Sequence, residues 1–136
     1  MLAALANQTG GLFAIDGDVA TVKQVATFLA NAVEGVVIWP TKATLPVNFG
    51  VAYPKRFPPL RTDRDSIVIG TLKSSVKTIP VSLAATACGK PVSMNWNLSP
   101  RASNEDYSFL PDLVSSAKAN DGAGLATVGT VGLLET

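Results

Sequence analysis

The residues that could do chemistry in this chain are hydrogen-bonding side chains that alternate with apolar ones. The clearest stretch is residues 92–98, where Val92, Met94, Trp96 and Leu98 alternate with Ser93, Asn95 and Asn97. Because successive side chains on a strand point to opposite faces, this spacing predicts a strand with one apolar face and one face of hydroxyls and amides. Hydroxyls, amides and ammonium groups are the side chains that hydrogen-bond the phosphates and base edges of nucleic acids.

Other predicted strands and one basic loop add to this polar surface. The candidate RNA-binding residues are Lys55, Arg56, Lys73, Ser75, Lys77, Ser82, Thr86, Ser93, Asn95 and Asn97. RNA readers commonly present single-stranded bases to a sheet surface of this kind. The alternative is an ordinary solvated face, which every antiparallel sheet has.

The charge distribution favours a polyanionic partner for the middle of the chain. Residues 42–101 contain nine basic and two acidic residues, a balance of +7, whereas the flanks contain two basic and eight acidic residues, a balance of −6. A positive region bounded by acidic ends is typical of a surface that binds nucleic acid. The alternative is that Lys and Arg merely protect strand edges against pairing.

The sequence contains few residues in patterns typical of catalytic or metal-binding sites. The chain has no histidine, which removes the commonest general base and metal ligand. The carboxylate pairs Asp16/Asp18 and Asp63/Asp65 lie in turn-like or basic contexts, and no phosphate-binding glycine motif occurs. We therefore expect no enzyme activity, no metal and no cofactor. For the single cysteine, Cys88, three interpretations are open: a thiol made reactive by the nearby Lys90, an ordinary free turn residue, or a residue that pairs between subunits.

Length and hydropathy predict one soluble domain spanning residues 1–136. The chain is 47% hydrophobic and 15% charged, so it can form a packed core while carrying little surface charge. Its beginning has no early positive charge, and no apolar run approaches 18 residues. These features predict neither a signal peptide nor a membrane span, and they predict synthesis in the cytosol.

The predicted elements place the polar residues on an antiparallel sheet. Residues 7–19 have the turn signals of a hairpin, and residues 19–34 have helical spacing closed by Gly35. Strands are predicted at residues 35–39 (closed by Pro40), 47–53, 66–77, 78–87 and 92–98, the last four forming a meander. Pro80 lacks a donor for the ladder, so its strand should be bulged or exposed there.

An amphipathic helix is predicted after the last strand. Its stripe consists of Tyr107, Leu110, Leu113, Val114 and Ala117. Residues 103–106 supply an N-terminal cap, and Asp121-Gly122 ends the helix. Pro111 should kink it, unless the regular part begins only there. The tail, residues 122–136, is predicted to form a short second helix.

Two windows resemble the coat proteins of single-stranded RNA bacteriophages of the levivirus type. M-N-W-N-L-S-P-R-A-S-N-E-D-Y, residues 94–107, is similar to their last strand and the start of their first C-terminal helix. F-L-A-N-A-V-E-G-V-V-I-W, residues 28–39, is similar to a second segment of that family. Residues 92–122, which contain the first window, and residues 28–39 together cover about a third of the chain.

The resemblance implies an α+β fold with an N-terminal hairpin, an antiparallel sheet of about five strands and two C-terminal helices packed on the partner subunit's sheet. It also implies that residues 19–34 are extended, against their local helical spacing. Such proteins form intertwined homodimers that assemble in the host bacterial cytoplasm into an icosahedral virion around single-stranded genomic RNA. The inner sheet face binds that RNA and can repress translation through an RNA hairpin. The alternative from the residues is a non-assembling RNA-binding module.

Overall fold

A computed structural model describes residues 2–12, 21–74, 76–102 and 104–127. The described residues form three α-helices: α1 (Leu2–Gln8), α2 (Val22–Ala32) and α3 (Leu110–Asn120). They form six strands: β1 (Val37–Thr44), β2 (Phe49–Tyr53), β3 (Leu60–Arg61), β4 (Ile69–Leu72), β5 (Ile79–Ala87) and β6 (Lys90–Leu98). Within these residues the expected α+β class with a mainly antiparallel sheet is confirmed.

The strands form two sheets instead of one meander. The larger sheet has the order β3-β1-β5-β6 and is antiparallel throughout, while β2 and β4 pair only with each other. The meander would need β4 to pair with β5, but both edges of β5 are occupied, one by β1 and the other by β6. The far edge of β1 pairs with β3, which follows the proline-rich residues 54–59. The prediction that residues 47–53 and 66–77 join the same meander is therefore wrong.

The hairpin of β5 and β6 is the most regular part of the sheet. Its turn residues, Cys88 and Gly89, have φ angles of 49° and 74°. Two positive φ angles are what a two-residue type I′ turn needs, and its twist matches that of the strands. Pro80 pairs with Asn97 without a register shift and is exposed, because β1 ends opposite Ser82 and leaves this part of β5 unpaired on that side.

Local capping explains why residues 22–32 are helical. The Gln24 N–H donates to Thr21 Oγ1 at 3.4 Å, and the Thr21 N–H donates to Gln24 Oε1 at 2.8 Å. This reciprocal capping box satisfies two donors that a helix start otherwise leaves unpaired. The helical spacing is thus confirmed, and the extended segment that the resemblance implied is wrong. The predicted hairpin at 7–19 lies mostly outside the described residues, and residues 7–8 are the end of α1.

Helix α3 begins at Leu110, so Pro111 lies at its start and does not distort it. Pro111 lies in the first turn, where a missing N–H costs no hydrogen bond, so the helix has no kink to accommodate there. Its end was predicted correctly: Asp121 and Gly122 adopt left-handed conformations with φ angles of 51° and 77°. The described part of the tail is a 3₁₀ helix, Ala123–Thr127.

The core has two parts. Tyr53, Ala117 and Leu125 are buried together, so α3 packs on its own chain's β2–β4 pair. On the larger sheet, Leu83 is 1% exposed and lies beside the buried Ile79 and Ala85 on one face. Within one chain, therefore, α3 leaves the larger sheet uncovered.

Candidate nucleic-acid interface

The hairpin of β5 and β6 places polar side chains on one face of the larger sheet. Directly paired residues on antiparallel strands point to the same face, and the register pairs Ser82 with Asn95, Ala84 with Ser93 and Pro80 with Asn97. Thr86 lies four residues after Ser82 on β5 and therefore points to the same face, because side chains of a strand alternate between its two faces. The structure thus brings together five of the predicted RNA-binding residues, which with their neighbours on this side are called the polar face: Ser82, Thr86, Ser93, Asn95 and Asn97.

One hydrogen bond fixes the orientation of an amide on the polar face. The Ser82 hydroxyl donates to the carbonyl oxygen Oδ1 of Asn95 in a short contact. The two N–H donors of Asn95 are therefore the groups left to meet a ligand. A cavity of about 260 Å³ lies beside this pair, bounded also by Thr44, Pro80 and Asn97. Donors beside such an opening can reach the acceptor edge of an unstacked base.

The other predicted cations do not lie on the polar face. Lys73 follows β4 in the smaller sheet, and Lys77 is exposed in the connection to β5. Lys55 and Arg56 are exposed beside the end of α3, where the Lys55 N–H donates to Asp121 Oδ1 at 3.4 Å. Ser75 lies outside the described residues. The prediction that Lys73 shares one sheet surface with residues of β5 and β6 is wrong, because β4 pairs with β2 and not with β5.

Strand β1 contributes residues that the sequence patterns did not indicate. Pro40 pairs with Ala85 on β5, and the next pair is Lys42 with Ala84, so Thr41 has no partner of its own. Thr41 is therefore the extra residue of a β-bulge. Before the bulge, Trp39 pairs with Thr86. The Thr41 hydroxyl donates to the Ala84 carbonyl oxygen at 3.0 Å, which stabilises the bulge. Trp39, Lys42 and Thr44 consequently all belong to the polar face. Only Pro40, an unusual residue inside a strand, hinted at an irregularity here.

The opposite face of the same sheet is apolar and partly open. A cavity of about 460 Å³, here called the apolar groove, lies between β5–β6 and residues 45–68. Its lining includes Phe49, Val81, Trp96 and Leu98. Trp96 is 42% exposed and Leu98 is 51% exposed. Both belong to β6, whose outer edge pairs with no strand of the described chain.

Two arginines counted in the positive region are engaged inside the fold. Arg61 Nη1 donates to the Gly10 carbonyl at 2.8 Å, Arg61 Nη2 donates to the Ala32 carbonyl at 2.6 Å, and the same guanidinium pairs with Asp63 at 2.6 Å. Arg64 Nη1 donates to the Gly11 carbonyl at 2.7 Å. These contacts tie the ends of α1 and α2 to the segment after β3. Neither guanidinium is free to act as an RNA ligand.

The proton affinities of these groups follow from their contacts. Hydrogen bonds from Arg61 lower the pKa of the Asp63 carboxyl, and the same bonds raise the pKa of Arg61. Burial lowers the pKa of Arg64, and the nearby positive charge of Arg61 adds to that effect. The ion pair therefore stays charged on both sides at neutral pH.

The described residues hold no group of three or more Cys, Asp or Glu side chains that could bind a metal ion. Cys88 is an exposed free thiol at the hairpin turn, and Asp16 and Asp18 lie outside the described residues. In the part of the chain that the structure describes, no helix is both long and apolar enough to cross a bilayer. The chain was also compared with protein-family models, curated proteins and solved structures, and none of them matches it.

Proposed function

We propose that this chain is a structural capsid protein that forms homodimers, assembles into a closed icosahedral shell and binds single-stranded genomic RNA on the polar face. In this proposal the chain is a component of the virion, which assembles in the cytoplasm of a bacterial host. The proposal assigns it no enzymatic step and no cofactor. Repression of translation through an RNA hairpin bound on the same face belongs to the proposal as a second role.

The observation that carries the proposal is the outer edge of β6, which pairs with no strand among the described residues and lies beside exposed apolar side chains. A nine-residue edge strand offers a full row of N–H and C=O groups for pairing with another chain. Trp96 and Leu98 next to this edge are large and half exposed, and a contiguous apolar surface of this kind marks an interaction site. A second copy of the chain, paired edge to edge, satisfies both features at once.

Helix α3 supplies a cover for the apolar groove of a second copy. Its inner side, with Ala117, packs on β2–β4 of its own chain. Tyr107, in the 3₁₀ turn before the helix, and Leu110, at the start of α3, belong to the same stripe as Ala117, and each is about two-fifths exposed. In the proposed dimer these two exposed side chains lie on the partner's groove. The resemblance of residues 94–107 to phage coat proteins supports the same arrangement.

The electrostatics of the polar face suit an RNA partner. No residue of β1, β5 or β6 is acidic, so no carboxylate on these strands repels phosphate. Hydroxyl and amide groups on this face, with Lys42, can contact phosphates and bases alike. Because the polar face and the apolar groove lie on opposite sides of one sheet, a dimer can cover the groove while its RNA-binding side stays open.

The direct test is to express the chain alone in bacteria. We expect particles of viral size by negative-stain electron microscopy, with RNA inside that resists added nuclease. A well-folded monomer at micromolar concentration by light scattering would contradict the proposal. A folded monomer that still binds RNA with strong salt dependence would instead establish the non-assembling RNA-binding module.

Charge reversal of Lys73 and Lys77 tests the contribution of the exposed cations to packaging. We expect the double change to glutamate to lower the RNA content per particle and to reduce the salt dependence of RNA binding. The reason is that binding releases fewer counterions from the RNA when fewer phosphates are neutralised by lysine. Dimers should persist, because both side chains are exposed. The control with the same change in net charge is Lys23→Glu on α2 together with Lys118→Glu on α3, both exposed, which should leave the RNA-to-protein absorbance ratio unchanged. An equal loss in both variants would mean that only net charge matters.

A further inference from the structure

We propose that Trp39 is a base-stacking residue of the polar face, with Lys42 beside it as the cation for the adjoining phosphate. This inference rests on the proposed RNA-binding function and names a contact within it. Trp39 is 47% exposed, although it stands in a strand with partners on both sides. Exposed aromatic side chains on a sheet surface are the groups on which single-stranded bases stack.

The β-bulge at Thr41 is what places these two side chains together. In a regular strand, residues 39 and 42 point to opposite faces, because the side-chain direction alternates at every residue. With Thr41 as the extra residue, Trp39 lies opposite Thr86 and Lys42 lies opposite Ala84. Thr86 and Ala84 are two apart on β5, so both partners share one face. The bulge thereby adds an aromatic ring and an ammonium group to the hydroxyls and amides already described.

The indole is supported from one side. Gly10 is buried against β1, and a Cβ at that position would lie 2.7 Å from Val37 Cγ1 and 3.6 Å from Trp39 Cζ2. Glycine therefore allows the end of α1 to contact the edge of the ring while much of the indole surface stays open. A ring held in this way loses little freedom when a base stacks on it.

The surroundings of Trp39 favour single-stranded RNA as the occupant. Ala84, in the middle of the face, is small and exposed, so nothing there obstructs a strand that crosses the sheet. Thr86 and Ser82 are four residues apart on β5, roughly 13 Å. An RNA strand stacked on Trp39 can thus pass Lys42 and reach the Asn95 amide. A duplex would present stacked bases and could not use the ring in this way.

The test measures the affinity of the purified full-length chain for a short oligouridine by fluorescence anisotropy. We expect Trp39→Leu, which keeps apolar bulk but removes the aromatic face, to weaken binding by about 5- to 150-fold. Trp39→Phe should retain most of the affinity. Phe28→Ala, at an exposed aromatic residue of α2, is the matched control and should change affinity less than about twofold. Circular dichroism melting establishes that each variant is folded.

The two tryptophans give a second readout that does not depend on variant affinity. In Trp96→Phe, Trp39 is the sole indole, and its emission should be quenched as oligouridine saturates the chain. In Trp39→Phe, the remaining Trp96 pairs with Val81 on the apolar side of the sheet and only borders the cavity beside Asn95, so its emission should be quenched less. Tight binding by Trp39→Leu together with unquenched Trp39 would overturn the stacking role. An unmodified chain with no salt-sensitive RNA affinity would overturn the proposed RNA-binding function itself.

Discussion

Replacing both Trp96 and Leu98 by glutamate is expected to abolish particle assembly and leave a folded monomer. Both side chains lie in the apolar groove beside the free edge of β6, and both are already about half exposed in the single chain. The chain therefore tolerates the new charges as a monomer. In a dimer the carboxylates would have to leave water, and the two arginines that also line the groove, Arg61 and Arg64, are already hydrogen-bonded within the fold. The cost is therefore several kcal/mol for each carboxylate. Light scattering and negative-stain microscopy give the result directly.

The matched control for this variant introduces the same charge elsewhere. Val22 and Val33 at the two ends of α2 are 69% and 86% exposed, and their replacement by glutamate should leave assembly intact. Assembly of the Trp96/Leu98 variant into normal particles would show that the β6 edge is not the dimer contact. Loss of assembly in both variants would point to total charge as the cause.

Replacing Arg61 by alanine is expected to lower the free energy of unfolding by about 2–4 kcal/mol. The Arg61 side chain is 6% exposed, and it donates hydrogen bonds to the Gly10 and Ala32 carbonyls and to Asp63. Its removal leaves part-buried acceptors without donors. Urea unfolding followed by circular dichroism measures the change. The stability of Arg61→Lys should lie between those of the unmodified chain and Arg61→Ala, because an ammonium keeps the charge but cannot reproduce the planar fork of the guanidinium.

The same ion pair predicts how stability depends on pH. Asp63 has a pKa below its ordinary value of 3.8 in the folded chain. Its contribution is therefore fully present above pH 3.8 and is lost as the pH falls through the lower folded pKa. We expect Asp63→Asn to be less stable at neutral pH and to lose less stability on acidification. Equal acid sensitivity of the two chains would show that the pair does not contribute in this way.

Local patterns predicted those parts of the fold that depend on neighbours in sequence. Strand β6 follows from strict alternation, α2 follows from helical spacing, and the end of α3 follows from Asp121-Gly122. Each of these is stabilised within a few residues, so the chain itself carries the signal. The same reasoning found five residues of the polar face, because they belong to the β5–β6 hairpin.

The parts that sequence reasoning missed depend on distant contacts. Strand β3 is only two residues long and has no period of its own, yet it occupies an edge of β1 in the larger sheet. The role of Arg61 depends on carbonyl groups far away in the chain, so a count of charges includes it in the positive region although its guanidinium is bound within the fold. Trp39 and Lys42 share a face only because of a bulge formed against β5. No pattern within a short stretch of the sequence indicates any of these contacts.

The way in which α1 and α2 are attached affects how freely their surfaces can change during evolution. Arg61 and Arg64 contact these segments through the main-chain carbonyls of Asn7, Gly10, Gly11 and Ala32. Every residue type has a carbonyl oxygen, so a substitution on the outer side of either helix leaves the anchoring acceptor in place. Mutations should therefore accumulate on these helices faster than at the two arginines that hold them. The outer side of α2 is accordingly the place where a short foreign peptide could be inserted with least effect on the sheet.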